Sequence, residues 1–197
     1  MRHPQISLTL LLLAALGLSG CGTTQNAKFY TLSPMAALEK KAPLDITVNV
    51  TMVNLADYLD RPQIVTRTST NEVTIDEFER WAEPLDDAIP RLVAENLSVL
   101  LGTPKIATVP WQGSVPPDYA VFFEVTGFDG SLGENVVLHY VYVILDRDGK
   151  KVFEVKRSAI TEPTSGPGYE AMVSAGSRAI GAMSREIAEA IRSVHAK

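Results

Sequence analysis

Between residues 44 and 55 apolar and polar side chains alternate. Ile46, Val48, Val50 and Met52 fall on one side, and Thr47, Asn49 and Thr51 on the other. A period of two predicts a half-buried strand. The pattern recurs at 118–128, where Tyr119, Val121, Phe123 and Val125 oppose Ala120, Phe122 and Glu124. At 135–145 both sides are largely apolar, with His139 set among Val137, Val141 and Val143. A strand apolar on both faces is expected in the middle of a sheet. Shorter strands are predicted at 28–34, ended by Pro34, at 63–69 and 71–77 around a turn at 69–71, at 105–109, ended by Pro110, and at 151–160. Asp148-Gly149 marks a hairpin before the last of these.

From Asp86 the period changes. Ile89, Leu92, Val93, Leu97, Leu100 and Leu101 follow helical spacing, with Arg91, Glu95 and Asn96 expected to face outward. Pro90 is placed in the first turn, and Gly102 with Pro104 forms the stop. A second helix follows the loop at 161–168. Its apolar stripe is Tyr169, Met172, Val173, Gly176, Ile180, Met183, Ile187, Ile191 and Val194. Gly176, Ala179 and Gly181 thin that helix and permit close approach to a sheet. The order predicts an α+β fold: a two-layer sandwich with one mainly antiparallel sheet and two helices packed on one face.

The amino end differs. Residues 6–18 carry no charge and are almost wholly apolar. As a helix they span roughly 20 Å, too short for a hydrocarbon core of about 30 Å. They fit the apolar region of a secretory signal. Leu18-Ser19-Gly20-Cys21 then matches a bacterial lipobox, and Cys21 is the chain's single cysteine. Cleavage is expected between Gly20 and Cys21, with N-acyl and S-diacylglycerol lipid on Cys21 and no other cofactor. The division expected is a signal peptide at 1–20, a lipidated tether at 21–28 and one α+β domain at 29–197. One acyl chain holds a protein only marginally; three make release negligible. In Gram-negative lipoproteins an Asp after the cysteine commonly signals inner-membrane retention. Gly22 and Thr23 follow here, which points to the outer membrane. Eight extended steps from Cys21 reach roughly 25 Å, so the domain must sit near the bilayer. Transport across a periplasm would require a longer partner.

Composition changes the picture mainly by exclusion. Net charge is −5, and loss of residues 1–20 removes Arg2 and makes it one unit more negative. No basic face of the kind nucleic acid needs is indicated, nor a polybasic grip on anionic lipid. The chain has three histidines. His3 leaves with the leader, His195 lies near the chain end, and His139 is read as a packed or sheet-surface residue. A His/Cys metal site cannot be assembled from these. No nucleophile–base arrangement is placed by a motif. Gly166-Pro167-Gly168-Tyr169-Glu170-Ala171 matches G-x-G-x-x-A, but no parallel strand follows the helix, so it is read as a helix entry. Glu72, Asp76, Glu77, Glu79, Glu83, Asp86 and Asp87 are read as a solvated acidic rim or a docking face for a basic partner. An enzyme is not expected.

Three stretches carry a likeness: "YTL" at 30–32, "YLDRPQIVTR" at 58–67 and "RWAEPLDDAIPRLVAENLSVLLG" at 80–102. Together they resemble the PqiC/YmbA-like family of auxiliary lipoproteins of ABC-type, MCE-associated intermembrane lipid transport, over nearly the whole mature chain. The resemblance implies a non-enzymatic subunit on the periplasmic face of the outer membrane. It implies docking to a periplasm-spanning MCE tunnel protein, whose transporter partner lies in the inner membrane, with phospholipid as the cargo of the system. A homo-oligomeric ring is plausible for such a cap. Tyr58, Leu59, Asp60, Arg61, Pro62, Gln63 and Arg67 are taken as a recognition edge, with Trp81 as a further anchor or a core residue. Asp60 and Arg61 either pair with each other before Pro62 or face a neighbour. The alternative reading is a periplasmic carrier that shields one acyl chain in its own cavity.

Overall fold

Two sheets, not one, organise the chain. The computed structural model describes residues 25–36, 41–108 and 116–196. Cys21, Gly20 and the expected leader lie outside the described residues. A five-stranded sheet has the order β5-β2-β6-β7-β8, built from β2 (Val48–Leu55), β5 (Ile106–Thr108), β6 (Tyr119–Gly130), β7 (Asn135–Asp146) and β8 (Lys151–Pro163). A three-stranded sheet has the order β1-β4-β3, from β1 (Lys28–Tyr30), β3 (Gln63–Ser69) and β4 (Glu72–Trp81). Two helices, α1 (Leu85–Leu101) and α2 (Tyr169–His195), touch each other and share the larger sheet. α1 lies on β2 and β5, and α2 on β7 and β8. The α+β class and the two covering helices agree with the sequence reading.

The sheets are mixed rather than purely antiparallel. β6, β7 and β8 form the expected antiparallel meander. β5 and β6, however, both run parallel to β2, and β1 runs parallel to β4. The cause is connection length. Two-residue turns force antiparallel neighbours, whereas a crossover through a helix returns the chain in the same direction. β2 reaches β5 only after β3, β4 and α1.

Alternation is converted directly into burial. In β7, Val136, Leu138, Tyr140, Tyr142 and Ile144 face the helices and are buried, while His139 is exposed on the other side. In β6, Val121, Phe123 and Val125 are buried beside them. On α2, Met172, Val173, Ile180, Met183, Ile187 and Ile191 supply the opposing layer. Gly176 lets the helix approach Phe128, since a Cβ there would lie 2.8 Å from the Phe128 ring. Gly181 makes room not for a sheet but for Met35, 3.0 Å away.

Two details of α1 depart from the helical reading. The helix starts at Leu85, with Pro84 as its N-cap residue, so Pro90 lies in the second turn. Its missing N–H leaves the carbonyl of exposed Asp86 to solvent. Asn96 is fully buried rather than outward-facing. Its Oδ1 accepts from the backbone N–H groups of Met35 (3.0 Å) and Ala36 (2.9 Å), and its Nδ2 donates to Ser184 on α2 (3.3 Å). Beside it, Ser177 accepts from the Ser33 N–H at 3.1 Å. Residues 31–36 thus lie as a strap across α2, pinned by Leu32 in the core.

α1 ends as expected at Gly102, which adopts φ +69°. A Cβ there would also stand 2.8 Å from Pro43 Cβ. Gly102→Ala is therefore expected to cost about 2 kcal/mol, read as a lower urea midpoint at constant slope. Among the described residues no helix is long and apolar enough to cross a membrane.

Candidate docking site

The two sequence blocks at 58–67 and 80–85 meet in space. After β2 the chain makes a 3₁₀ turn at Asp57–Leu59. It closes through the Leu59 N–H on the Ala56 carbonyl (2.8 Å), and the Arg61 N–H then returns to the Leu59 carbonyl (2.8 Å). Pro62 precedes β3, and its carbonyl accepts the Trp81 N–H at 2.7 Å. That bond joins the start of β3 to the end of β4. Between the two ends lies a hollow of about 300 Å³ lined by Asp60, Arg61, Pro62, Trp81, Ala82, Glu83, Pro84 and Leu85.

The residues singled out in the sequence divide by depth. Leu59 is 2% exposed and Trp81 9%, and the Trp81 ring stacks on Phe128 with centroids 6.3 Å apart. These two form support from within. Asp60 and Pro62 are exposed at the rim. Arg61 is half-buried; it makes no pair with Asp60, and its Nε is buried without a hydrogen-bond partner. Gln63 donates to Glu77 at 2.9 Å. Glu83 at the rim is paired with Arg91, which also reaches Glu95 at 2.9 Å.

Tyr58 and Arg67 are drawn away from the hollow by a residue the sequence reading did not single out. Asp129, at the end of β6, is 8% exposed. Arg67 grips its carboxylate with two N–H groups, Nε to Oδ1 at 2.6 Å and Nη2 to Oδ2 at 3.1 Å. The Tyr58 hydroxyl donates to the same carboxylate. Arg67 Nη1 reaches the Thr70 carbonyl (3.1 Å), and Ser131 donates back to the Arg67 carbonyl (3.0 Å). This network stitches the small sheet to the large one and fixes the loop that carries the hollow. Burial pushes the Tyr58 hydroxyl up to about 12, helped by its bond to Asp129. It remains a donor at neutral pH. Burial alone would raise the Asp129 carboxyl, but the Arg67 and Tyr58 hydrogen bonds outweigh it and hold the group below its ordinary value. Asp129 has no local sequence signal, because its partners lie about 60 and 70 residues earlier.

Of the acidic run, Glu72, Glu77, Asp86 and Asp87 are exposed and Asp76 and Glu83 half-buried, while Glu79 is drawn inside. Glu79 is buried and takes Lys28 (3.1 Å) and the Tyr30 hydroxyl (2.6 Å). Asp76 accepts the Phe78 N–H at 2.8 Å, and Asp86 and Asp87 sit in the first turn of α1. Among the described residues no group of three His, Cys, Asp or Glu side chains could hold a metal ion.

The fold is shared with solved structures. A Xanthomonas campestris protein of the DUF330 family is 17% identical, with a TM-score of 0.71 over 87% of this chain and 100% of its own. A second crystal structure, of an uncharacterised protein, is 23% identical, with a TM-score of 0.68 over 85% of this chain and 99% of its own. No curated protein matches the chain. The family model described as "ABC-type transport auxiliary lipoprotein component" matches residues 30–188, and the chain belongs to that family.

Proposed function

We propose that this protein is the outer-membrane-anchored lipoprotein of an intermembrane phospholipid transport system, held by lipid on Cys21. It docks or caps the far end of a periplasm-spanning MCE tunnel protein, whose base joins an inner-membrane transporter. Its own role is recognition and placement, without catalysis. The observation that carries the docking site is the convergence of residues 60–62 and 81–85 on one hollow. The Asp129 network holds Tyr58 and Arg67, which flank the hollow, and so lowers the ordering cost on binding. The walls of the hollow combine exposed Asp60, Pro62 and Pro84 with buried Trp81 and Leu85. Such a seat opens outward to a partner; an acyl-chain carrier would need an opening into the core. Arg61, half-buried and lining the hollow, places a positive charge there that suits an acceptor on the partner.

Capture of the tunnel protein tests this reading. Arg61→Ala is expected to weaken capture about tenfold or more without moving the melting temperature, since central arginines are frequent hot spots. Equal capture by a folded Arg61→Ala chain removes the hollow as the docking site. The mass of the native protein extracted from membranes tests the lipid on Cys21 separately.

A further inference from the structure

Beside the hollow lies a face that the docking reading does not use. β1 pairs with β4 so that Phe29 sits opposite Arg80, and β3 brings Gln63 to Arg80 from the other side. The three side chains form one row on the face turned away from the buried Glu79 and Trp81. Phe29 is 64% exposed. Arg80 is half-buried, and its Nε is buried without a hydrogen-bond partner. Further along the same segment Met35 is 43% exposed. Phe29 and Met35 line one open hollow of about 430 Å³ with Tyr30, Val173 and polar side chains of the first turns of α2. An exposed aromatic and an exposed thioether chain are thus carried by the first structured segment of the domain, with the half-buried Arg80 of β4 beside Phe29.

The chain outside the structure says what covers this face. Phe29 is eight residues from Cys21, a reach of roughly 25 Å at full extension. From this geometry we infer that the Phe29–Arg80 face is the surface by which the domain lies on the phospholipid bilayer. Phe29 enters the boundary between headgroups and acyl chains, and Arg80 meets a lipid phosphate. An apolar ring beside an arginine suits that boundary, where the ring reaches the acyl side and the long arginine side chain keeps its charge on the wet side. This rests on the lipoprotein reading of Cys21. It assigns an orientation: α2 runs away from the membrane from its Tyr169 end, and the hairpin at Asp148-Gly149 lies at the far end, near His195.

The test uses the mature chain coupled through the Cys21 thiol to a maleimide lipid, in vesicles of phosphatidylcholine and phosphatidylglycerol. The anchor is then present whether or not the native thiol is acylated, so failure here is separate from failure of that reading. Tryptophan is placed by Phe29→Trp or Asp148→Trp, with the parent emission of Trp81 and Trp111 subtracted. Brominated lipid is expected to remove most of the Phe29→Trp emission and to leave Asp148→Trp unaffected. Adding Arg80→Gln to Phe29→Trp is expected to weaken the quenching. Equal quenching at both positions, or none at Phe29→Trp, overturns the assignment. So does protection of Phe29→Trp that arises only when the tunnel protein is added, which would make the face a protein interface.

Discussion

Replacing Asp129 with alanine is expected to cost about 3 kcal/mol and to lower the melting temperature by about 6–12 °C. The carboxylate is 8% exposed and accepts from three donors: two N–H groups of Arg67 and the hydroxyl of Tyr58. Removing it strands a guanidinium whose desolvation is no longer compensated. The Arg67 side chain is 34% exposed, so water relieves part of that cost, and the lower end of the usual range for a broken buried pair applies. Tyr58→Phe removes one donor alone and is expected to cost about 1 kcal/mol. Adding Arg67→Met to Asp129→Ala takes away the stranded charge and is expected to restore about 1–2 kcal/mol. The pH dependence has a definite sign. A carboxyl held low in the folded state stabilises above the unfolded value of about 3.9, and the contribution is lost as pH falls through the folded value. Parent and Asp129→Ala stabilities should therefore converge in acid. A gap that stays constant through that range would falsify the assignment. Asp118, held low against burial by the Thr47 N–H and Arg147, destabilises both chains alike in acid and drops out of the difference.

Asn96→Ala is expected to cost a further large amount, about 3 kcal/mol, by a different route. Its Oδ1 is the acceptor for two consecutive strap amides, Met35 and Ala36, and its Nδ2 ties α1 to Ser184 on α2. Each orphaned donor costs about 1–3 kcal/mol where water cannot reach it. The loss is expected first as local opening. The amides of Met35 and Ala36 should exchange faster, while those of β6 and β7 keep the exchange rates set by global unfolding. Unaltered exchange at residues 35 and 36 in a folded Asn96→Ala chain would mean that the strap is held by Leu32 and Ser177 alone.

What could be read from the sequence was what local periodicity encodes. The strand at 63–69, the Asp148-Gly149 hairpin and the stop at Gly102 follow from side-chain alternation and backbone conformations needing glycine. The parallel pairings of β2 were hidden, because strand direction depends on where a helix returns the chain rather than on composition. Asn96 was misplaced for a related reason. Its i±3 and i±4 neighbours, Leu92, Val93, Val99 and Leu100, are apolar, but a buried amide needs partners, and these come only from distant segments: the strap about 60 residues earlier and Ser184 on α2. The stretches at 58–67 and 80–85, parts of which line the hollow, were singled out from the sequence. Asp129, which holds Tyr58 and Arg67 in place, was not, since an aspartate at a strand end has many ordinary explanations.

The direction of β1 bears on how the domain withstands tension. β1 runs parallel to β4, with Lys28 beside Glu79 and Tyr30 beside Trp81, and the chain enters it from its amino end. A pull from that end acts along the strand axis, so the interstrand hydrogen bonds and the Lys28–Glu79 pair are loaded in shear together. They cannot be peeled one after another like a zipper. If the chain is tethered through Cys21 as proposed, this lap joint gives the tether a mechanical strength greater than its three residues suggest.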